Sequence, residues 1–251
     1  AALAKRVCDR HYGIGADGLI LLLPSTKADF RMRIFNTDGS EAEMCGNGIR
    51  CFARCAYEAG LTDKTEFTVE TGAGILVPKL ILSAGKVVSV QVDMGEPVLE
   101  ADRIPVAGFG SRRVVSEPIE VLGQRYTMTC VSMGNPNCVI MLERVDREKA
   151  LHLGPYVENS KYFPNRINMQ LCHVVDRENI QIEIYERGAG YTYASGTGAC
   201  AAASAAHKLG LVGNRVQVHM QGGDLLVEFA EDDRVFMTGP VVYIGSITLA
   251  E

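Results

Sequence analysis

The chain has 251 residues, of which 47% are hydrophobic, and a formal net charge of −5. This length and hydrophobic content allow one large or two small globular domains with buried cores. The negative charge disfavours binding to nucleic acid or to an anionic membrane, and no apolar run approaches the roughly 20 residues that a membrane-spanning helix needs.

Two helices are predicted along the chain. The first follows Gly48, where the apolar residues fall at i, i+3, i+4, i+7 and i+8: Ile49, Phe52, Ala53, Ala56 and Tyr57. Gly60 stands where a glycine would cap the C-terminus of this helix. The second helix is predicted over residues 199–209, and because it is alanine-rich almost all round we expect other elements to enclose it.

The rest of the chain consists of short apolar segments typical of strands, most of them bounded by turns that contain glycine or proline. These segments are 19–23, 67–69, 87–92, 114–121, 181–185, 216–220, 235–237 and 241–249. Each half of the chain is therefore expected to place several strands around one main helix, which is an α+β arrangement. The predicted domains are residues 1–104, joined by 242–251, and residues 105–241.

The two predicted helices belong to a repeat with a fixed offset of 150 residues. The segment Cys45-Gly-Asn-Gly48 corresponds to Ser195-Gly-Thr-Gly198, and Gly60 corresponds to Gly210. We therefore expect two copies of one unit that face each other, with a paired site between them. The second copy also contains residues 131–138, whose counterpart would precede residue 1, so we expect an N-terminus shorter than the internal symmetry requires.

Eight cysteines lack the C-x-x-C spacing and lie mostly in apolar stretches: Cys8, Cys45, Cys51, Cys55, Cys130, Cys138, Cys172 and Cys200. Free cysteine in such stretches behaves as a small buried hydrophobe. We interpret them as reduced thiols in a cytoplasmic protein, with Cys51, Cys55 and Cys200 packing inside the helices. No histidine is paired with cysteines at ligand spacing, so no zinc site is expected.

Cys45 and Ser195 are the candidate reactive residues because each immediately precedes a helix and a pair of glycines. The positive end of a helix favours a thiolate, and glycine lets an anion such as a carboxylate approach the backbone N–H groups. Glycines at a helix start also serve as a plain tight turn or bind phosphate. However, no Walker lysine follows either pair, and neither pair forms G-x-G-x-x-G. A carboxylate held at both helix starts would place its α-carbon between Cys45 and Ser195, which suits proton removal from one face and return to the other.

Several motifs resemble the diaminopimelate epimerase family of cofactor-independent amino-acid epimerases. They are Asn36-Thr-Asp-Gly-Ser-Glu41, Met44-Cys-Gly-Asn-Gly-Ile-Arg-Cys51, Ser132-Met-Gly-Asn-Pro136, Glu186-Arg-Gly-Ala-Gly190 and Gly196-Thr-Gly-Ala-Cys200. The resemblance covers essentially the whole chain except the family's first strands. It implies two pseudo-symmetric domains, each a mostly antiparallel or mixed sheet wrapped around a central helix.

The resemblance also implies a reaction and site residues. The reaction is the conversion of LL- to meso-diaminopimelate, for lysine and peptidoglycan precursors, without any cofactor or metal. Cys45 and Ser195 take the places of the two catalytic cysteines, and Glu186 with Arg187 would hold the substrate ammonium group. The carboxylate would lie against Gly46, Asn47, Gly196 and Thr197, while Asn36, Asn135 and Asn168 would contact the rest of the substrate.

Three departures from the family pattern leave alternatives open. Ser195 replaces a cysteine, Asn137 stands where histidine is usual, and Tyr191 and Tyr193 replace glutamate and leucine. A serine hydroxyl is a poor base unless a neighbouring group activates it. The chain is therefore expected to be an epimerase of diaminopimelate, a relative that acts on another amino acid, or a weakened amino-acid-binding relative. Its partner is a small-molecule amino acid rather than nucleic acid or membrane, and a homodimer stays open.

Overall fold

The computed structural model describes residues 1–42 and 45–249. Met44 of the first glycine motif, and residues 250 and 251 of the expected C-terminal segment, lie outside the described residues. The chain forms two compact units, one of Ala1–Val92 with Thr238–Glu251 and one of Asp93–Met237. The domain limits given above, 1–104 with 242–251 and 105–241, stay a prediction.

The first unit combines two helices with a mixed sheet. Its elements are α1 (Ala2–Cys8), β1 (Gly18–Leu23), β2 (Phe30–Asn36), β3 (Glu41–Ala42), α2 (Gly46–Glu58), β4 (Val69–Thr71), β5 (Gly74–Leu76), β6 (Lys79–Ser83) and β7 (Lys86–Gly95). The strand order is β1-β2-β4-β5, and β3 pairs with β2. Strand β2 is antiparallel to β1 and parallel to β4, while β6 and β7 form an antiparallel pair.

Helix α2 is the core of this unit and confirms the first predicted helix. Ile49, Phe52, Ala53 and Ala56 are almost fully buried, and the helix packs against β1, β2 and β6. The Phe52 ring meets the edge of Phe30 with 6.3 Å between ring centroids. The apolar face that the periodicity predicted is therefore the face that the helix buries.

The second unit is built on a larger mixed sheet. Its elements are β8 (Glu117–Val121), β9 (Gln124–Ser132), β10 (Pro136–Met141), α3 (Arg147–Glu158), β11 (Asn168–Val174), β12 (Asn179–Glu186), β13 (Gly190–Thr192), α4 (Gly196–Lys208), β14 (Arg215–Met220), β15 (Gly223–Phe229) and β16 (Val235–Pro240). The strand order is β16-β15-β14-β12-β11-β10-β9-β8, with β13 on β12. The pairs β10–β11 and β12–β14 are parallel, whereas β8–β9, β9–β10, β11–β12 and β14–β15 are antiparallel.

Two cores cover the two faces of this sheet. Val139 packs in the cluster that contains the alanines of α4, while its neighbours Cys138 and Ile140 pack in the cluster that contains Leu153 of α3. Successive strand residues point to opposite faces, so α4 and α3 lie on opposite sides of the sheet. Helix α4 is enclosed, as predicted, and every residue from Gly198 to Ala206 is buried. The predicted α+β class is confirmed in both units.

One local prediction was wrong, and one helix was not predicted. Residues 241–249 form no strand; Val242 and Ile244 there are 79% and 97% exposed, so their β-branched side chains find no partner to pack on. Helix α3 was not predicted because Gly154 and Pro155 interrupt its pattern. A Cβ on Gly154 would lie 2.2 Å from Cγ of Tyr185, so this helix needs glycine in order to pack on β12.

The repeat predicted at an offset of 150 residues is visible in the hydrogen bonds that end the two main helices. Gly60 donates to Tyr57 O and Leu61 donates to Ala56 O in α2; Gly210 donates to His207 O and Leu211 to Ala206 O in α4. The two glycines have φ of 69° and 72°. Both ends are Schellman motifs, in which glycine adopts the left-handed conformation without steric cost.

The carboxylate of Asp29 fixes the start of β2 and makes the first unit sensitive to acid. It accepts hydrogen bonds from Lys64 Nζ at 2.7 Å and from the backbone N and Oγ1 of Thr68 at 2.8 Å. These hydrogen bonds, above all that from Lys64, lower the pKa of Asp29 to about 2. Because its pKa is depressed by folding, its stabilising contribution is present above pH ~4 and is lost as the pH falls toward ~2.

We therefore expect Asp29→Asn to lower the thermal unfolding midpoint at pH 7 and to reduce the loss of stability between pH 4 and pH 2. Circular dichroism melts at pH 7, 4 and 2 measure both effects. Asp63→Asn is the matched control, since no described residue hydrogen-bonds to that exposed carboxylate. An unchanged acid profile in Asp29→Asn would contradict the assignment.

Candidate functional site

The start of α2 holds Cys45 as its N-cap. Cys45 has extended backbone angles of φ −146° and ψ 120°, and its Sγ accepts a hydrogen bond from Gly48 N at 3.4 Å. The residue is half-buried. A Cβ on Gly48 would meet Ile34 Cδ1 at 3.0 Å, so glycine allows the first turn of the helix to lie against the sheet. The thiol therefore lies at the positive end of a helix whose apolar face is buried, and its position at the helix start is as predicted.

The start of α4 has the same geometry with a hydroxyl in place of the thiol. Ser195 is the N-cap, with φ −146° and ψ 123°, and its Oγ accepts from Gly198 N at 3.3 Å. Its exposed fraction is only 8%. No carboxylate or imidazole among the described residues hydrogen-bonds to Ser195. Positions 45 and 195 therefore share their backbone angles and their capping hydrogen bond.

Arg50 organises the first turn of α2, although the sequence analysis gave it no role. It is buried, at 7% exposure. Its Nη1 donates to Gly46 O at 2.9 Å and its Nη2 donates to Asn47 Oδ1 at 2.8 Å. Asn47 itself is exposed. The signal for this interaction is the spacing of three and four residues, which places the three groups on one side of a helix.

The structure places Asn36 at the end of β2, in a turn closed by Ser40. Its Nδ2 donates to Ser40 Oγ at 2.9 Å and its backbone N to Ser40 O at 2.8 Å. The residue is exposed. No hydrogen bond joins Asn36 to Cys45 or Asn47 in the described part of this unit, so the structure brings it to the end of the sheet without linking it to the helix start.

A chain of side-chain amides leads to the start of α4. Gln170 Nε2 donates to Asn137 Oδ1 at 3.0 Å, Asn137 Nδ2 donates to Asn135 O at 2.7 Å and Oδ1 at 3.0 Å, and Asn135 Nδ2 donates to Thr197 Oγ1 at 3.1 Å. Asn137 and Gln170 are 1% and 0% exposed. Asn137, which stands where the family usually has histidine, is therefore a buried link in this chain. Sequence reasoning missed Gln170 because it lies 33 residues further along.

Asn168 connects two predicted site segments within the second unit. Its Oδ1 accepts from Arg187 N at 2.9 Å and its Nδ2 donates to Pro136 O at 2.9 Å. The turn that follows Glu186 is also fixed by a residue that was not predicted, since Gly188 N donates to Glu158 Oε1 at 2.8 Å. Buried Glu158 also pairs with Arg166.

The side chains of Glu186 and Arg187 differ in how they are held. The Arg187 guanidinium donates to Asn165 O at 3.1 Å and is exposed. The half-buried Glu186 carboxylate hydrogen-bonds to no described residue. A half-buried carboxylate that receives no hydrogen bond from the protein can accept hydrogen bonds from a cation such as a substrate ammonium group.

The Tyr191 hydroxyl is held by a neighbouring carboxylate. Its hydroxyl donates to Glu183 Oε2 at 2.6 Å, and its ring packs edge-on against Tyr193. Burial, together with the Glu183 carboxylate, raises the pKa of Tyr191 to about 12. The phenol is therefore protonated at neutral pH and acts as a donor to Glu183 rather than as a base.

None of the described cysteines forms a disulfide bond. Burial raises the pKa of Cys172 to about 12 and that of Cys130 well above its ordinary range. Cys200 is buried in α4, as expected, but Cys51 and Cys55 are exposed, so their assignment as packing residues was wrong. They lie on the side of α2 opposite to the face that Ile49 and Phe52 bury.

The described residues contain no cluster of three His, Cys, Asp or Glu side chains that could hold a metal ion. A search of the same residues finds no helix that is both long and apolar enough to cross a membrane.

Comparison with known proteins identifies the family. The model of the diaminopimelate epimerase family matches residues 1–100 and 129–244. The chain belongs to the diaminopimelate epimerase family. It is 55% identical over 243 residues to the diaminopimelate epimerase of Moorella thermoacetica, covering 96% of this chain and 87% of the relative. It is 46% identical over 250 residues to that of Methanococcus maripaludis strain S2, covering 98% and 90%.

Solved structures of more distant proteins share the fold. A probable proline racemase from Agrobacterium radiobacter K84 has a TM-score of 0.71 at 16% identity, with 98% of this chain and 80% of the racemase covered. A hydroxyproline epimerase from Agrobacterium vitis has a TM-score of 0.67 at 15% identity, covering 96% and 78%. At these identities the likeness concerns the fold alone. The predicted architecture is confirmed.

The position of Cys45 at the helix start leads to a prediction about thiol reactivity. We expect iodoacetamide at neutral pH to label Cys45 before Cys51 and Cys55, because a helix N-terminus favours the thiolate. Partial desolvation raises the pKa of Cys51 although the residue is exposed. The five buried cysteines should react only after unfolding. Peptide mapping by mass spectrometry over a time course gives the order.

Cys45→Ala should remove the fast-labelled peptide, whereas Cys55→Ser, the matched control on the same helix, should keep it. Labelling of Cys51 or Cys55 at the rate of Cys45 would refute the assignment.

Proposed function

We propose that the chain interconverts LL- and meso-diaminopimelate by two-base proton transfer at the α-carbon, without a cofactor. The observation that carries this proposal is the matched geometry of Cys45 and Ser195. Each caps a 13-residue helix, each has φ of −146°, and each accepts from the amide of the glycine three residues on. The relatives of this chain in M. thermoacetica and M. maripaludis carry the name of that activity.

The substrate's reacting carboxylate is proposed to bind at the two helix starts. The first N–H groups of a helix lack intrahelical acceptors and carry the positive end of its dipole. In α2 these groups belong to Gly46 and Asn47, and in α4 to Gly196 and Thr197. Binding there neutralises the carboxylate and makes the α-proton easier to remove, since negative charge develops next to it in the transition state.

Cys45 and Ser195 are proposed to serve opposite faces of the α-carbon. In one direction the Cys45 thiolate takes the α-proton while the Ser195 hydroxyl gives its proton to the other face. In the reverse direction the Ser195 oxygen must act as the base. Because Ser195 Oγ accepts from Gly198 N, its proton is free to be donated, so the residue is better suited to giving a proton than to taking one.

The remaining predicted residues are assigned to binding. Glu186, whose carboxylate no described residue neutralises, is proposed to hold the substrate ammonium group together with Arg187. Asn36, Asn135 and Asn168 are proposed to contact the substrate, particularly its distal amino-acid end. Asn168 already bridges Arg187 N and Pro136 O, so it also holds the loop that carries Glu186.

A second candidate function is amino-acid binding with little turnover. The observation that favours it is the lack of any described carboxylate or imidazole on the Ser195 hydroxyl. Proton NMR of LL- and meso-diaminopimelate incubated with the protein in D₂O distinguishes the two functions. Loss of the α-proton signal requires chemistry, and binding alone leaves that signal intact. For either function we infer a cytoplasmic protein with a small-molecule partner, and the homodimer stays a prediction.

The asymmetry of the two bases predicts unequal rates from the two isomers. In D₂O, the isomer whose α-proton faces Cys45 should exchange faster than its partner, because a thiol deprotonates more readily than a serine hydroxyl. Ser195→Cys should narrow this difference and raise epimerisation about 10-fold or more, given the usual contribution of a positioned base. The exchange rate from each isomer, before and after the substitution, is the measurement.

Ser204→Cys places the same chemical change deep inside α4 and should leave both rates unchanged. If Ser195→Cys has no effect while Cys45→Ala abolishes exchange from both isomers, Ser195 is not the second base.

The proposed mechanism also predicts that turnover needs neither metal nor pyridoxal phosphate. No lysine accompanies the site motifs to form a Schiff base. Dialysis against EDTA, and separately treatment with hydroxylamine, should leave the rate equal to that of a sample dialysed against buffer. A loss of rate that returns on adding a metal ion or pyridoxal phosphate would show that the mechanism is wrong.

A further inference from the structure

The hydrogen bonds that link the side-chain amides of Gln170, Asn137 and Asn135 to Thr197 can run in only one donor-to-acceptor direction. The backbone carbonyl of Asn135 can only accept, so the Asn137 atom 2.7 Å from it must be the amide nitrogen. The other end of Asn137 is therefore an oxygen, which requires the Gln170 nitrogen to donate to it at 3.0 Å. This direction leaves Gln170 Oε1 buried without a hydrogen-bond partner among the described residues, which is rare in proteins.

The same reasoning orients Asn135 and the Thr197 hydroxyl. Asn137 Nδ2 lies 3.0 Å from the Asn135 side chain, which must present Oδ1 to it. Asn135 Nδ2 is then left to donate to Thr197 Oγ1 at 3.1 Å. Because the Thr197 oxygen accepts on that side, its proton must point elsewhere. No residue of the described second unit accepts it, so the partly exposed hydroxyl is a free donor.

The start of α2 achieves the same result with different residues. Buried Arg50 donates from Nη2 to Asn47 Oδ1 at 2.8 Å, and a guanidinium can only donate. The oxygen end of the Asn47 amide is therefore turned toward the helix. Its Nδ2 end is left as a donor, without an acceptor among the described residues of this unit.

We propose that Asn137 in one unit, and Arg50 in the other, are positioning residues that make Thr197 and Asn47 present hydrogen-bond donors to the substrate. This inference rests on the proposed function and specifies its selectivity. A carboxylate offers two acceptor oxygens and is suited to donors alone. A carboxamide offers one acceptor and one NH₂ group, and that NH₂ group would face another donor.

The experiment compares the binding of two amides of the substrate by isothermal titration calorimetry. The monoamide of LL-diaminopimelate can place its carboxylate at the helix starts with its carboxamide at the distal end. The diamide places a carboxamide at both ends. The ratio of the two dissociation constants therefore isolates what the helix starts prefer. For the unaltered protein we expect the diamide to bind at least about 10-fold more weakly, the usual effect of a hydrogen bond to a charged group.

Asn137→Leu frees the Asn135 amide to turn its oxygen toward Thr197, whose hydroxyl can then donate to it and accept from a carboxamide. We expect the ratio to fall several-fold. A merely structural loss would weaken both ligands equally and leave the ratio unchanged. In Thr197→Val the orientation of Asn135 no longer matters, so adding Asn137→Leu to that variant should not change the ratio further.

The contribution of the first unit is tested by Arg50→Met. This substitution removes the donor that fixes the Asn47 amide, so the amide can turn its oxygen toward a carboxamide, and the ratio of the two dissociation constants should fall. Ser204→Ala is the matched control, because it removes a buried hydroxyl of α4 that hydrogen-bonds to no described residue. It should leave the ratio as it is. Asn137→Ser carries the measurement if Asn137→Leu does not fold, which thermal unfolding reveals.

The outcomes separate this inference from the proposed function. If the unaltered protein binds neither LL-diaminopimelate nor its monoamide, the proposed function is wrong and the inference fails with it. If the protein binds and discriminates, but the Asn137 and Arg50 variants keep the ratio of the two dissociation constants, the inference is wrong and the proposed function stands. Additive effects of Asn137→Leu and Thr197→Val would also overturn it.

Discussion

Each unit depends on burying a helix whose first backbone N–H groups still need partners. Helix α4 is buried from Gly198 to Ala206, so the backbone groups of that stretch cannot rely on water. Ser195 Oγ satisfies the amide of Gly198 at one end, and Gly210 and Leu211 satisfy carbonyls at the other. The N–H groups that precede Gly198 have no intrahelical acceptor, and they are the groups available to an anionic ligand. The buried helix start therefore leaves unpartnered N–H groups at the place where the substrate carboxylate is proposed to bind.

The two units cap the first turns of their helices with the same backbone geometry and different side chains. Cys45 and Ser195 share their backbone angles and their capping hydrogen bonds. Position 50 is a buried arginine that donates to Asn47, whereas its counterpart, Cys200, is a buried thiol. The donor that organises Thr197 comes instead from Asn135, which is fixed through the sheet strands β10 and β11. The two helix starts thus share their backbone geometry, while their polar side-chain contacts differ.

The sequence predicted the features that depend on local chemistry. The capping residues and the left-handed glycines Gly60 and Gly210 were identified because a helix end is specified within a few residues. Helix α3 was not predicted because its Gly154 is required by a long-range contact: it leaves room for the ring of Tyr185, which lies on β12. The hydrogen bond between Asn137 and Gln170 could not be predicted either, since it depends on the parallel pairing of β10 with β11. Cys51 and Cys55 lie on the exposed side of a helix whose buried side was correctly predicted.

Serine at position 195 separates two roles that a cysteine would combine. As an N-cap, serine is among the preferred residues, since its oxygen is a good acceptor for a backbone N–H group. The helix start is therefore no weaker for the replacement, and the angles at Ser195 match those at Cys45 within 3° in ψ. As a base, the hydroxyl is inferior to a thiol. In the proposed mechanism, serine at this position therefore affects proton transfer rather than folding, and the helix start that is proposed to bind the carboxylate keeps the backbone geometry of its counterpart.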